Sequence, residues 1–272
     1  MKVSIIVPTY KDPVALGLIL EALEKQTYKN FEVIIAEDDN SPELATYIDN
    51  LKMPYPVQHV SQEDKGWRKA KALNQAIQIA EGDYLIFFDG DCLPYSTFVE
   101  NHVLLSEGNR VLCGRRVNLG DGVSLALRNK TETVADIEKN FLKKLTALKN
   151  DGARHIEQGL DILSILPKAL FEVLGRKTRL VGCNFSVYKS KMVEINGFDE
   201  EYPTGDIADD VDVEWRLNAI GVMNKSCKYA ANLLHLNHSR SERKVQHDKN
   251  YVLMVEKQKK NQIRCSSGIE RL

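Results

Sequence analysis

A chain of 272 residues, 43% hydrophobic and 28% charged, is long enough for one large α/β domain or for a domain with an appendage. Its net charge of −1 excludes a global electrostatic pull toward nucleic acid or an anionic membrane. The five cysteines (Cys92, Cys113, Cys183, Cys227, Cys265) are scattered, odd in number and lack a Cys-x-x-Cys spacing, so neither a zinc site nor a disulfide frame is suggested, and no apolar run approaches the ~20 residues of a membrane span. Buried reduced thiols and a cytoplasmic protein without a signal peptide are the expectation.

In chain order, Met1–Tyr10 reads as a strand running into a loop, and Val14–Leu23 as an apolar-periodic helix. Phe31–Ala36 is a second strand, ending in Glu37-Asp38-Asp39-Asn40-Ser41-Pro42, and Val57–Val60 a third. Gly66–Asp83 reads as a helix stopped by glycine, followed by the strand Tyr84-Leu-Ile-Phe-Phe. Strands alternating with helices imply a doubly wound, mostly parallel sheet. Further on, Thr131–Lys149 reads as a charged helix, and 161–174 carries apolar positions 162, 163, 166, 170, 173 and 174 on one wide stripe, with Pro167 able to kink or split it. That basic-flanked helix, over 161–179, either packs on the protein's own core or lies on a membrane surface. The tail from Asp248 to Ile263 reads as a lysine-rich helix anchored by Tyr251, Leu253 and Val255.

The most informative segment is the end of the fourth strand, Asp89-Gly90-Asp91. Asp-Gly is ordinary turn chemistry. Yet a buried parallel strand reads as a continuous apolar run, and ligands of open α/β sheets bind beyond the carboxyl ends of such strands. Two carboxylates there can hold a hard divalent cation and, through it, a diphosphate.

The succession Val-Pro8-Thr9-Tyr10, Asp38-Asp39-Asn40-Ser41, Ala70-x-x-x-Asn74, Gly82-Asp83-Tyr84 and Asp89-x-Asp91 resembles the nucleotide-binding half of family 2 glycosyltransferases. Gly182-Cys-Asn184-Phe-Ser186, Gly197-Phe198-Asp199-Glu200, Asp209-Asp210-x-Asp212-x-Glu214-x-Arg216-Leu217 and His235-Leu-Asn-His238 resemble the acceptor half. That half is also similar to β-1,4-galactosyltransferases, polypeptide N-acetylgalactosaminyltransferases and chondroitin polymerase domains. The resemblance covers roughly residues 1–114 and 180–240. It implies a GT-A fold, a mixed and mostly parallel sheet flanked by helices: 1–114 the nucleotide-sugar half, 115–180 a helical insert walling the acceptor site, 181–240 the acceptor half of the same domain, 241–272 a helical tail.

Residue by residue, the resemblance implies that Pro8, Tyr10 and Asp39 hold the nucleoside, Asp39 accepting from the uracil ring, while Ser41 and Pro42 start a helix. Lys69 and Lys71 fall where the family has a basic residue near the diphosphate. Asp91 is the first metal ligand, Asp89 faces the ribose or binds through water, and His238 is a ligand with His235 as ligand or neighbour. Such a donor set suits Mn²⁺ or Mg²⁺. Asp210 is the general base; Asp209, Asn184 and Trp215 contact acceptor or sugar, although capping suits Asp209 and a core position suits Trp215. Asp-Asp stands here where the family has Glu-Asp.

The implied activity is inverting transfer of Gal or GalNAc from a UDP-sugar to a glycan or glycolipid, in surface polysaccharide synthesis, at the inner face of the membrane. The alternative is a non-catalytic sugar-nucleotide or glycan-binding module. No nucleic-acid partner is implied, and oligomeric state is not legible.

Overall fold

The computed structural model describes residues 1–173, 177–202, 210–238 and 244–271. Among these, seven strands form one sheet in the order β3-β2-β1-β4-β8-β6-β9: β1 Val3–Thr9, β2 Phe31–Glu37, β3 Val57–Ser61, β4 Tyr84–Phe88, β6 Arg110–Cys113, β8 Asn184–Tyr188 and β9 Met223–Ser226. The pairs β1–β2, β2–β3, β1–β4 and β6–β9 are parallel. β8 runs antiparallel between β4 and β6. β1, β2 and β4 are buried along nearly their whole length, as their apolar runs require, and helices α1 (Pro13–Glu24) and α3 (Lys69–Ile79), with the short α2 (Pro42–Asp49) between them in the chain, turn apolar faces to the sheet. The order β2-β1-β4 brings the carboxyl ends of three successive parallel strands side by side.

A second, three-stranded sheet, β5 (Cys92–Pro94), β10 (Leu233–His235) and β7 (Val117–Asn118), lies across that end. β10 is antiparallel to β5 and parallel to β7.

Several sequence expectations are corrected. α3 ends at Ala80, whose backbone is already extended, and not at Gly82. Gly82 serves close approach instead: a Cβ there would sit 2.5 Å from the Ser4 amide nitrogen. The helix expected over Thr131–Lys149 breaks at Asn140 into Val134–Lys139 and Phe141–Asn150. Of the two outcomes expected of Pro167 in the stripe from 161 onward, a kink or a split, the structure shows the split. Asp161 caps a turn through the Ser164 amide, helix resumes only at Lys168–Val173, and Ile165 stands 78% exposed while Phe171 is buried. The tail helix runs Lys244–Lys259, anchored by Asn250, Met254 and Lys257, with Tyr251 facing solvent. All five cysteines are free and buried. No helix among the described residues is long and apolar enough to cross a membrane.

Candidate functional site

The site is built where the two sheets meet. β4 delivers Asp89-Gly90-Asp91 past the end of β1, and the fit is so close that a Cβ on Gly90 would lie 2.0 Å from the Pro8 carbonyl oxygen. β5 begins at the next residue. Its register with β10 places Cys92 opposite His235, and the Leu236 amide donates to the Asp91 carbonyl at 2.9 Å. Pairing of two three-residue strands therefore sets Asp91 against the histidines. His235 Nε2 and His238 Nε2 lie 3.2 and 3.1 Å from Asp91 Oδ2. The His238 loop is tied to the helix Asp121–Arg128, as the Asn237 amide donates to Ser124 Oγ and its carboxamide to Asp121.

Burial raises the proton affinity of Asp91, but its contacts with the two imidazoles outweigh that and hold the carboxyl well below the usual carboxylate range. The nearest ligating atoms of Asp91, His235 and His238 all lie within 4.8 Å of one another. One carboxylate oxygen and two imidazole nitrogens form a mixed oxygen and nitrogen donor set that can hold a divalent metal ion without any thiolate. Asp89, Asp91 and Cys92 form a second group within the same limit. Both oxygens of Asp89 are already engaged, Oδ1 by Lys69 Nζ at 2.7 Å and Oδ2 by Arg116 Nη1 at 2.6 Å. Asp89 is thus an ion-paired carboxylate that holds two cations at the strand end. Burial opposes its ionisation; the Lys69 charge first, then Arg116, brings its pKa below the ordinary value.

Of the two lysines on α3, the structure brings Lys69 to the acids. Lys71, two positions along, lies about 200° around the helix and makes no contact with them among the described residues. Arg116 was missed by sequence reasoning, which read Arg115-Arg116 only as the start of the insert. The signal for it was slight: a basic pair just after the strand Arg110–Cys113, at the edge where strand ends collect.

At the end of β2 the two aspartates have different tasks. Asp38 is buried, accepting from Gln62 Nε2 at 2.6 Å and the Arg68 amide at 2.8 Å, so it shapes the 62–68 loop; burial raises its pKa. Asp39 keeps a buried Oδ1 without a hydrogen-bond partner among the described residues. Ser41 caps the next helix, accepting from the Leu44 amide. Pro8 lies at the adjoining strand end, and Tyr10 is exposed, its hydroxyl donating to Asp64 at 3.2 Å.

The expected acceptor residues are dispersed. Asn184 is wholly buried: Nδ2 donates to the Arg115 and Ala231 carbonyls, both at 2.9 Å, and Oδ1 accepts from His102 Nε2 at 3.1 Å. Its carboxamide is spent in the core, so the expected sugar contact is replaced by a role in fixing the backbone beside Arg116. Trp215 donates to Asp212 at 2.9 Å and packs with Tyr202 and Met254. Asp210 holds the N-cap position of the helix Val211–Ala219, its Oδ1 accepting from the Val211 amide at 2.5 Å. Capping, expected of Asp209, thus falls to Asp210; Asp209 lies outside the described residues.

Comparison with known proteins agrees with this architecture. The model of glycosyl transferase family 2 matches residues 4–160. Hyaluronan synthase of Pasteurella multocida is 30% identical over 116 residues, 42% of this chain and 12% of that protein. Validoxylamine A glucosyltransferase of Streptomyces hygroscopicus is 23% identical over 222 residues, 80% of this chain and 52% of that one. Among solved structures, a mannosyltransferase of Pyrobaculum calidifontis in complex with GDP-Man and Mn²⁺ aligns at a TM-score of 0.60 and 16% identity, covering 95% of this chain and 64% of that one. TarS 1–349 of S. aureus with UDP aligns at 0.58 and 16%, covering 94% and 65%. The chain thus spans less than two thirds of each relative. The fold is GT-A.

Proposed function

The chain belongs to glycosyl transferase family 2, and from that premise we propose that it moves a sugar from a UDP-sugar to a hydroxyl of a glycan or glycolipid, by a cation-dependent single displacement that inverts the anomeric carbon. The observation that carries this reading is the carboxylate of Asp91 held against His235 and His238 at the sheet's ligand-binding edge. Asp91, His235 and His238 would hold Mn²⁺ or Mg²⁺, which when bound stabilises negative charge on the departing diphosphate.

The protein's own groups do the rest. Asp39 Oδ1, buried and unpartnered, accepts the uracil N3–H, with Pro8 and Tyr10 shaping the nucleoside pocket. Lys69 and Arg116, both held by Asp89, keep two positive charges beside the diphosphate without side-chain rearrangement. Asp210, at the start of its helix, takes the acceptor proton as the hydroxyl attacks. The likeness of the 181–240 motifs to galactosyl- and N-acetylgalactosaminyltransferases supports Gal or GalNAc as the sugar, and the similarity to hyaluronan synthase supports a polysaccharide as the product.

The test is nucleotide release from UDP-Gal, UDP-GalNAc, UDP-glucose, UDP-GlcNAc and GDP-mannose, each with Mn²⁺ and with EDTA. UDP release from a UDP-sugar in Mn²⁺ alone is expected. Cation-independent release, or a preference for GDP-mannose, would sink the reading.

A further inference from the structure

The small sheet supplies a residue for the site that no motif marks. β10 lies between β5 and β7, and the register pairs His235 with Cys92 on one side and with Asn118 on the other. Paired residues of neighbouring strands, about 4.8 Å apart, present their side chains to the same face of a sheet. Asn118 therefore stands beside His235 on the face that meets Asp91. Its backbone has no freedom to turn away: the Asn118 amide donates to Arg154 O at 3.0 Å, the Arg154 amide donates to Asn118 O at 2.8 Å, and the Leu119 amide donates to His235 O at 2.9 Å.

Two side-chain atoms here are complementary. His235 Nε2 faces Asp91, while His235 Nδ1 is buried without a hydrogen-bond partner among the described residues. Asn118 Oδ1, on the neighbouring strand, is likewise buried and unpartnered. Leaving a buried polar atom unsatisfied is unfavourable, so two of them on paired residues call for a common solution. A histidine that coordinates a cation through Nε2 carries its proton on Nδ1 and needs an acceptor there, which fixes both tautomer and ring orientation.

We propose that Asn118 is a positioning residue for His235, its Oδ1 accepting the Nδ1–H directly after a small rotation or through one bridging water. The role rests on the cation-site reading above. It also gives β7, only two residues long, a function: it carries the acceptor to the back of the imidazole.

The test is Mn²⁺ titration of the intact protein with UDP present, free ion being followed by electron paramagnetic resonance. Asn118→Leu, similar in volume but without an acceptor, is expected to weaken Mn²⁺ binding roughly 10–100-fold, and Asn118→Asp to restore it. Wild-type Mn²⁺ affinity in a folded Asn118→Leu protein overturns the proposal, as does a loss that Asn118→Asp leaves uncorrected. Should Asn118→Leu fail to fold, ¹⁵N NMR of His235 in the Mg²⁺-loaded wild type decides. An Nδ1 proton protected from exchange supports the role, and one in rapid exchange refutes it. Asp91→Asn separates the two levels. If it abolishes Mn²⁺ binding while Asn118→Leu does not, the positioning role alone is wrong; if it too binds like wild type, the cation site is wrong and the proposal falls with it.

Discussion

Replacing Gly90 by alanine tests how the acids are held. The added Cβ would lie 2.0 Å from the Pro8 carbonyl oxygen, about 1.4 Å short of ordinary contact, which begins at 3.4 Å. The obstacle is backbone of the neighbouring strand, so no side-chain rotation relieves it. The carboxyl ends of β1 and β4 must separate, just past their last paired residues, Ile6 and Phe87. Overpacking of this kind costs about 3 kcal/mol at the upper end of the usual range. The entropy lost from the unfolded chain by adding a Cβ offsets only about 0.4–1 kcal/mol of that. At roughly 2–4 °C per kcal/mol for a chain of this size, a net loss of about 2 kcal/mol lowers the melting temperature by about 4–8 °C. The displacement also carries Asp91 away from His235 and His238, so UDP affinity in Mn²⁺ should fall to the value seen in EDTA. Gly108→Ala is the control, because a Cβ there meets nothing within 4 Å. Differential scanning calorimetry and UDP titration provide both readouts. A Gly90→Ala protein that melts with wild type and keeps its Mn²⁺-dependent UDP affinity would refute the reasoning.

Three further outcomes are expected. UDP should displace a fluorescent UDP analogue better than GDP or ADP, and Asp39→Ala should erase that ranking; a GDP preference would remove Asp39 from the base site. Asp210→Asn should lose transfer by roughly 10²–10⁴-fold. It should melt within about 0.5 kcal/mol of wild type, since asparagine caps as well as aspartate does, and near-normal turnover would exclude the base. His102 is wholly buried and burial lowers its pKa from 6.5 to about 3. The unfolded chain therefore binds the extra proton between those values, so stability is full above pH 6.5 and declines below it, by about 2 kcal/mol at pH 5. Urea unfolding at pH 7.5 and 5 should show this part of the slope flattened in His102→Gln; an unchanged slope would contradict it.

The main strands were legible because β1, β2 and β4 are buried on both faces and must be apolar throughout. Their turns and acids then marked the ligand-binding edge. What joins Asp91 to His235 was not legible: three-residue strands about 140 positions apart carry too little pattern to announce their pairing, and only the register of β5 with β10 makes the contact. Arg116 and Asn118 were hidden for the same reason, lying around a two-residue strand in a stretch that reads as surface. Asn184 misled in the opposite direction. A motif asparagine near an acceptor region suggests a ligand contact, but it completes a closed network, Tyr84 to Ser186 to His102 to Asn184, in which every donor has an acceptor. In the 161–174 stripe Pro167 marked the break in advance, and helix resumes just past it at Lys168.

The central claim, that Asp91 with its two histidines makes a cation-dependent site for a nucleotide diphosphate, is tested most directly by calorimetry of UDP binding. Wild type and Asp91→Asn would each be titrated in Mn²⁺ and in EDTA. The account predicts tight binding only for wild type in Mn²⁺, with Asp91→Asn in Mn²⁺ matching wild type in EDTA. Equal UDP affinity under all four conditions would contradict it.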